Sequence, residues 1–276
     1  MAASAYASPL ERGWYYLHRL ICGSVLLFLI APILVIFPLS FNSVPFFTYP
    51  MPGLSLRWYE EFFLTDRWQG ALHNSMFVAA SVTLLSTLLG TLAALGLSRP
   101  NFPWRTTVMS LLISPIIVPA VITAVAVYFF YADVGLLNTY TGLVLAHTTL
   151  ATPFVVITVT ATLLNFDHSL TRAAAGLGAP PITVFFKITL PLILPGMISG
   201  ALFAFGTSFD EVVIALFVAS AEQRTLPRVM FSGIREQISP TIMAAATVLT
   251  LISIIMLTTV ELLRRRSERL RGIRNT

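Results

Sequence analysis

Six stretches of this sequence, at about 20–41, 72–97, 106–131, 140–164, 192–218 and 240–263, are predominantly apolar. Each is as long as the roughly 20 residues that a helix needs to cross a bilayer core of about 30 Å. A chain with six such stretches is an all-α integral membrane protein, because it lacks the polar residues to cover that much apolar surface in water. The composition agrees: 56% of the 276 residues are hydrophobic and 11% are charged, with a mean hydropathy of +0.83. Soluble domains carry about 25% charged residues. No internal repeat of about 20–50 residues is evident, so the six spans read as one domain over residues 20–263, between an interfacial segment at 1–19 and a basic tail at 264–276.

Several spans contain proline (Pro32, Pro38, Pro115, Pro119, Pro153), which membrane helices tolerate where neighbours re-satisfy the backbone. Kinked helices suit a bundle that lines a path better than a plain anchor. Small residues recur at facing intervals, as in Gly90, Ala94 and Ser98, and allow close helix–helix approach.

Positive charge sets the expected orientation. With the N-terminus inside, Arg12, Arg19, Arg99, Arg105, Arg172, Lys187 and the six arginines after residue 263 fall on the inner side; Arg57, Arg67, Arg224, Arg228 and Arg235 fall outside. Both termini are therefore expected in the cytoplasm. The first apolar stretch is too long for a cleaved signal and no small-residue cleavage site follows it, so it reads as an uncleaved helix. The aromatic segment "PLERGWYYLHRL" before it suits the interface. The outer loop at 42–68, rich in aromatics and proline, reads as a structured cap rather than a linker.

The same residues exclude several functions. The basic balance, 17 against 12, comes without a basic patch interleaved with aromatics, so nucleic acid is not expected. Lys187, the only lysine, lies between Phe186 and Ile188, which rules out a Gly-Lys-Ser/Thr phosphate loop in this chain. Cys22 is alone and cannot form an intrachain disulfide. His18, His73, His147 and His168 have no second histidine three or four residues away, and no metal site is expected. Nor does any serine or threonine sit in a recognisable nucleophile–base pattern. Asp133, before Gly135, reads as turn chemistry.

Residues 171–196, "TRAAAGLGAPPITVFFKITLPLILPG", lie between the fourth and fifth spans. Ala173–Leu177 favours a short helix, and Gly178, Pro180 and Pro181 stop it. A second element then leads to Pro191 at the mouth of the next span. So short a helix is marginal alone in water and needs a partner surface. This segment resembles the EAA loop of ABC-transporter permease subunits of the binding-protein-dependent import class. That family's pattern is Glu-Ala-Ala, three residues, Gly, nine residues, Ile, one residue, Leu-Pro. Ala173, Ala174, Gly178, Ile188, Leu190 and Pro191 stand at the matching positions, and Arg172 replaces the glutamate.

The resemblance, over roughly residues 70–265, implies a six-span permease with a cytoplasmic coupling helix in a loop at about 165–191. Arg172, Ala173, Ala174, Gly178, Ala179 and Pro180 would contact a cytoplasmic ATPase. ATP and Mg would bind on that partner, and this chain would bind no cofactor. The other implied partners are a homologous permease (a different second chain being the usual arrangement), a second ATPase subunit, a periplasmic substrate-binding protein and the lipid of a bacterial inner membrane.

Near the outer half of the fifth span the sequence reads "GTSFDEVVIALF". An acid at mid-membrane costs about 2.5–3.5 kcal/mol on insertion scales. Asp210 and Glu211 therefore either meet a cation in a water-filled path or form an ion pair with a neighbouring subunit. On a continuous helix the two would point about 100° apart, one toward the path and one toward a structural contact. The segment is similar to the spermidine/putrescine permease branch, with Ser208, Asp210 and Glu211 at its positions. That likeness implies a polyamine cargo, with Phe209, Tyr128 and Tyr131 as candidate cation–π faces. An amino-acid-like or opine cargo on the same machinery, and a proton-coupled secondary transporter, remain alternatives at this stage.

Overall fold

In a computed structural model, described here for residues 8–270 except 47, 49, 100, 101, 165, 237 and 238, the chain is built from helices. The side chains of residues 236, 260 and 263–270 also lie outside the description, as do residues 1–7 and 271–276. The outermost part of the interfacial segment and the arginine side chains of the basic tail therefore fall outside the described residues.

The chain divides into two compact units, 1–63 with 237–249, and 64–236 with 250–276. In the first, α1 (Pro9–Leu39) is capped by a reciprocal pair: Ser8 Oγ accepts from the Glu11 amide, and the Ser8 amide donates to Glu11 Oε2. No residue of α1 is buried, as expected of a helix that is apolar all round and meets lipid or another chain. The helix begins at Pro9, so residues 9–19, set apart in the sequence, are continuous with the span. The loop after it is folded. Asn42 bridges Leu54 in antiparallel fashion, Tyr59 Oη lies 2.6 Å from Ser40 Oγ, and the buried Trp58 indole donates to the Asn42 carbonyl at 2.5 Å. Helix α2 (Arg57–Leu64) closes this cap.

The second unit is centred on α3 (Asp66–Leu97), α6 (Tyr140–Leu164) and α9 (Leu190–Phe209). Their shared core holds Val78, Val82, Ala94, Val155, Val159, Ile193 and Ala204. Lipid supplies no hydrophobic force between helices, so close approach through small residues decides which faces meet. A Cβ on Gly200 would lie 2.5 Å from Thr158 Oγ1 and 2.9 Å from Val155 Cα, and one on Gly90 would lie 2.6 Å from Val155 Cβ. Both glycines are where the backbones of α3 and α9 come down onto α6.

The structure corrects two of the expected spans. The stretch at 106–131 is two helices, α4 (Arg105–Ile117) and α5 (Ala120–Val134), bent by 101° at Val118-Pro119. Pro119 has no N–H to continue the ladder and biases Val118 to extended backbone, which ends α4. The fifth span ends at Phe209, not at 218; a break follows, then the short α10 (Val213–Val218). Among the described residues, five helices are long and apolar enough to cross a membrane, or up to six if the bent pair counts as one span. Beyond α10, α11 (Leu226–Glu236) leads to α12 (Pro240–Leu270).

Side chains on α3 and α6 pin the connection from α10 to α11. Asn74 Nδ2 donates to the carbonyls of Glu222 (2.7 Å) and Arg224 (3.0 Å), and Tyr140 Oη donates to Asn74 Oδ1 (2.8 Å). The Leu226 amide donates to Ser75 Oγ (2.7 Å), while Arg228 Nη1 donates to the carbonyls of Ala219 and Ser220 (2.7 Å each). Backbone that leaves a helix here must find such partners or stay unsatisfied.

Candidate functional site

The two acids stand at the break between α9 and α10, not on a continuous helix, so the 100° separation expected of neighbours on one helix does not apply. The Asp210 amide still closes the last turn of α9 on the Gly206 carbonyl. Asp210 is an exposed residue on this chain. Glu211 is half-buried and turns back along the chain: its Oε1 accepts from the Ile214 amide at 2.8 Å. That satisfies one of the orphan N–H groups at the start of α10. The two acids thus do different work, one exposed and one capping a helix.

The preceding residues face inward. Ser208 is buried, and its Oγ lies 3.0 Å from His147 Nδ1 on α6. Phe209 is buried and its ring stacks on Phe205 at 5.3 Å. Tyr131 is also buried, packed with Ala124, Ala146, Leu150, Ile214 and Val218, so its ring face is not open to a solute. Tyr128 is 40% exposed with its ring edge-on to Phe129. The structure brings Ser208, Phe209, Asp210 and Glu211 to one end of α9, and gives Tyr128 no hydrogen bond to them among the described residues. It adds His147, which no spacing in the sequence could have paired with a serine 61 residues away. Among the described residues no group of three His, Cys, Asp or Glu could hold a metal ion.

At residues 165–191, α7 runs from His168 to Gly176, starting earlier than its alanine-rich stretch suggests. The reason is its cap. Asp167 Oδ1 accepts from the Ser169 amide at 2.8 Å, satisfying an N-terminal donor. Hydrogen bonds from Ser169, with lesser help from the charges of Arg172 and His168, hold the Asp167 carboxyl below its ordinary value. The helix ends in a left-handed turn at Gly178 (φ +80°), whose amide donates to the Ala175 carbonyl. A residue with a Cβ is strained there. Pro180 is extended and Pro181 opens α8 (Pro181–Val184).

The element after the turn is continuous with the next span. It passes through a π-helical turn at Phe185–Thr189 straight into α9, giving one run of 29 residues. The turn and the break at Asp210 thus stand at the two ends of one helical run. Arg172, Ala173, Gly178 and Pro180 are exposed, while Ala174 and Ala179 are half-buried. Leu177 is 90% exposed.

A bundle of apolar helices with two breaks, an anionic group at one break and an exposed helix–turn on the chain entering that same rod defines a multi-pass membrane transport subunit. Residues 86–271 match the family of binding-protein-dependent transport system inner membrane components. The chain belongs to that family. It is a permease subunit without catalytic chemistry of its own, working with a binding protein and an energising partner. It is 37% identical over 233 residues (80% of this chain, 81% of the relative) to the putrescine transport system permease protein PotI of Escherichia coli K12. It is 31% identical over 253 residues (92% and 98%) to the spermidine/putrescine transport system permease protein PotC of Haemophilus influenzae. Its fold is similar to that of a chain in the crystal structure of a bacterial ABC transporter involved in the import of the acidic polysaccharide alginate. The TM-score is 0.72 at 17% identity, covering 95% of this chain and 99% of that one.

Proposed function

We propose that this permease subunit forms half of the path for a polyamine, putrescine or spermidine, in an ATP-driven importer. The observation that carries the reading is the exposed acidic residue Asp210 at the α9–α10 break, in a chain whose relatives bear the names of polyamine permeases. An extended di- or tricationic solute needs an anionic group where it leaves bulk water, and a helix break in a membrane bundle is a place where such a group can be held without facing lipid. Glu211 is engaged with α10, so Asp210 is the residue assigned to the solute, with Ser208 and Phe209 supporting the end of α9 from within.

One such chain has too few helices to enclose a solute, so it pairs with a homologous permease, as a heterodimer. Two cytoplasmic ATPase subunits bind ATP and Mg and drive the bundle between inward- and outward-facing states through residues 165–191; a periplasmic protein delivers the solute. Both termini then lie in the cytoplasm, consistent with the excess of arginine on that side. The physical content is a bistable bundle biased by the nucleotide state of its partners.

The test is uptake by the full complex in proteoliposomes with its binding protein, offering labelled putrescine and spermidine against a zwitterionic amino acid. Polyamine uptake that stops without ATP is the expected result. ATP-dependent uptake of the zwitterion alone removes the polyamine, and uptake that follows a proton gradient without ATP removes the ATP-driven mechanism.

A further inference from the structure

The turn that follows α7 presents an apolar knob among cations. Leu177, Ile182 and Phe186 are 90%, 73% and 59% exposed, and Arg172 and Lys187 are exposed beside them. From residue 168 to residue 191 the chain contains no Asp or Glu. The one carboxylate at the edge of this segment, Asp167, is already occupied in capping α7. Arg172 and Lys187 outnumber Asp167, which lies within electrostatic reach of Arg172, and leave the segment with a net positive charge around an apolar centre. On α7 itself the residues flanking Arg172 are small, with Ala173 and Ala175 exposed, so a facing surface can approach the helix backbone closely.

Two kinds of surface could cover such a knob, a protein cleft or an anionic lipid layer. The helix decides between them. An interfacial helix needs a broad apolar face to enter the headgroup region, whereas the only large apolar side chain of α7 (His168–Gly176) is Leu170. Small residues around one long cation fit a shaped protein groove. Charge complementarity then fixes the polarity of the rim.

We infer that the ATPase subunit receiving this segment does so with an apolar cleft whose rim carries Asp or Glu side chains opposite Arg172, the reverse of the polarity that a glutamate at this position would demand. This rests on the reading of residues 165–191 as the segment that couples to the ATPase, and it adds the chemistry of the partner. It makes the chain selective: an ATPase whose groove presents an arginine or lysine at that point meets a like charge and binds at least about tenfold more weakly.

The experiment measures binding of the cognate ATPase subunit to the permease complex in nanodiscs, for wild type and for Arg172→Lys, Arg172→Ala, Arg172→Glu and Leu177→Asp. Correct insertion of every variant is checked by monodisperse elution. Expected are affinity within about twofold for Arg172→Lys, weakening of about tenfold or more for Arg172→Glu, and reduced salt sensitivity for Arg172→Ala, since Lys187 remains. If Arg172→Glu binds as well as wild type or better while Leu177→Asp abolishes binding, the acidic rim is wrong and the coupling segment stands. If Leu177→Asp also leaves binding intact, the coupling reading itself falls and takes the acidic rim with it. If the effect of Arg172→Glu appears only with anionic lipid and vanishes in neutral nanodiscs, the cation serves a lipid surface and the proposal is overturned.

Discussion

His147 on α6 and Ser208 at the end of α9 form a buried hydrogen bond, with Nδ1 and Oγ 3.0 Å apart. The other ring nitrogen of His147 is buried without a partner among the described residues. This bond is therefore the only polar satisfaction found for the imidazole, and it ties the last turn before Asp210 to the central helix. Replacing Ser208 with alanine leaves the whole ring unsatisfied, at a cost of about 1–3 kcal/mol. The expected outcome is a lower thermal unfolding midpoint for the purified complex, with threonine in place of serine recovering part of the loss. An unchanged midpoint in the alanine variant would mean that the pair contributes nothing to holding α9 on α6.

A second prediction contrasts two glycines of one helix. A Cβ at Gly200 meets Thr158 Oγ1 and the Val155 backbone, whereas at Gly206 nothing lies within 4 Å. Gly200→Ala must push α9 away from α6 or shift a threonine and a backbone, at about 1–3 kcal/mol, the usual range for overpacking. Gly206→Ala relieves the entropy cost of a helical glycine and is expected to be neutral or to stabilise by up to about 1 kcal/mol. Paired thermal-shift measurements on the two variants check this; equal effects would remove the α6–α9 contact as the reason for Gly200.

Much of the architecture was legible because apolar length is a direct consequence of bilayer thickness. The apolar stretch at 140–164 coincides with α6, Tyr140–Leu164. The end of the fifth span was not legible, since Val212, Val213 and Ile214 continue the apolar pattern straight past the break, and hydropathy does not sense a change of backbone direction. The alanines marked α7, but its start was hidden: Asp167-His168-Ser169 is polar and reads as loop until the cap bond is seen. Of the residues named for the solute path, Ser208 and Phe209 are buried, because which side of a helix meets its neighbour is decided by packing with chain segments distant in sequence.

The cap of α7 gives a pH prediction. The Asp167 carboxyl is held below its ordinary value by Ser169, so the folded helix prefers the ionised form. The stabilisation is then fully present above the ordinary carboxylate range, and is lost as pH falls through the lowered value. A spin label at Ala175 should report an ordered α7 at about pH 6 and fraying toward about pH 3, below the usual carboxylate range. Asp167→Ala should fray at every pH, and Asp167→Asn, which keeps an acceptor, should be ordered at every pH. A wild-type spectrum that does not change across this range would show that the carboxylate does not hold the helix start.

The last prediction separates the two acids. Glu211→Gln keeps an oxygen that can accept from the Ile214 amide, so it should leave α10 in place and uptake near the wild-type level. Glu211→Ala removes the acceptor and should lower complex stability by about 0.5–2 kcal/mol, the range for a lost helix cap. Asp210→Asn changes charge but hardly shape at an exposed position. It should lower kcat/KM for putrescine at least about tenfold, or ~1.4 kcal/mol of transition-state stabilisation, with assembly and thermal stability unchanged. The measurement is initial uptake rate against putrescine concentration, with ATPase co-purification as the assembly control. If Glu211→Gln carries the loss and Asp210→Asn does not, the solute meets the acid that the folded chain turns toward α10, and that cap must open during transport.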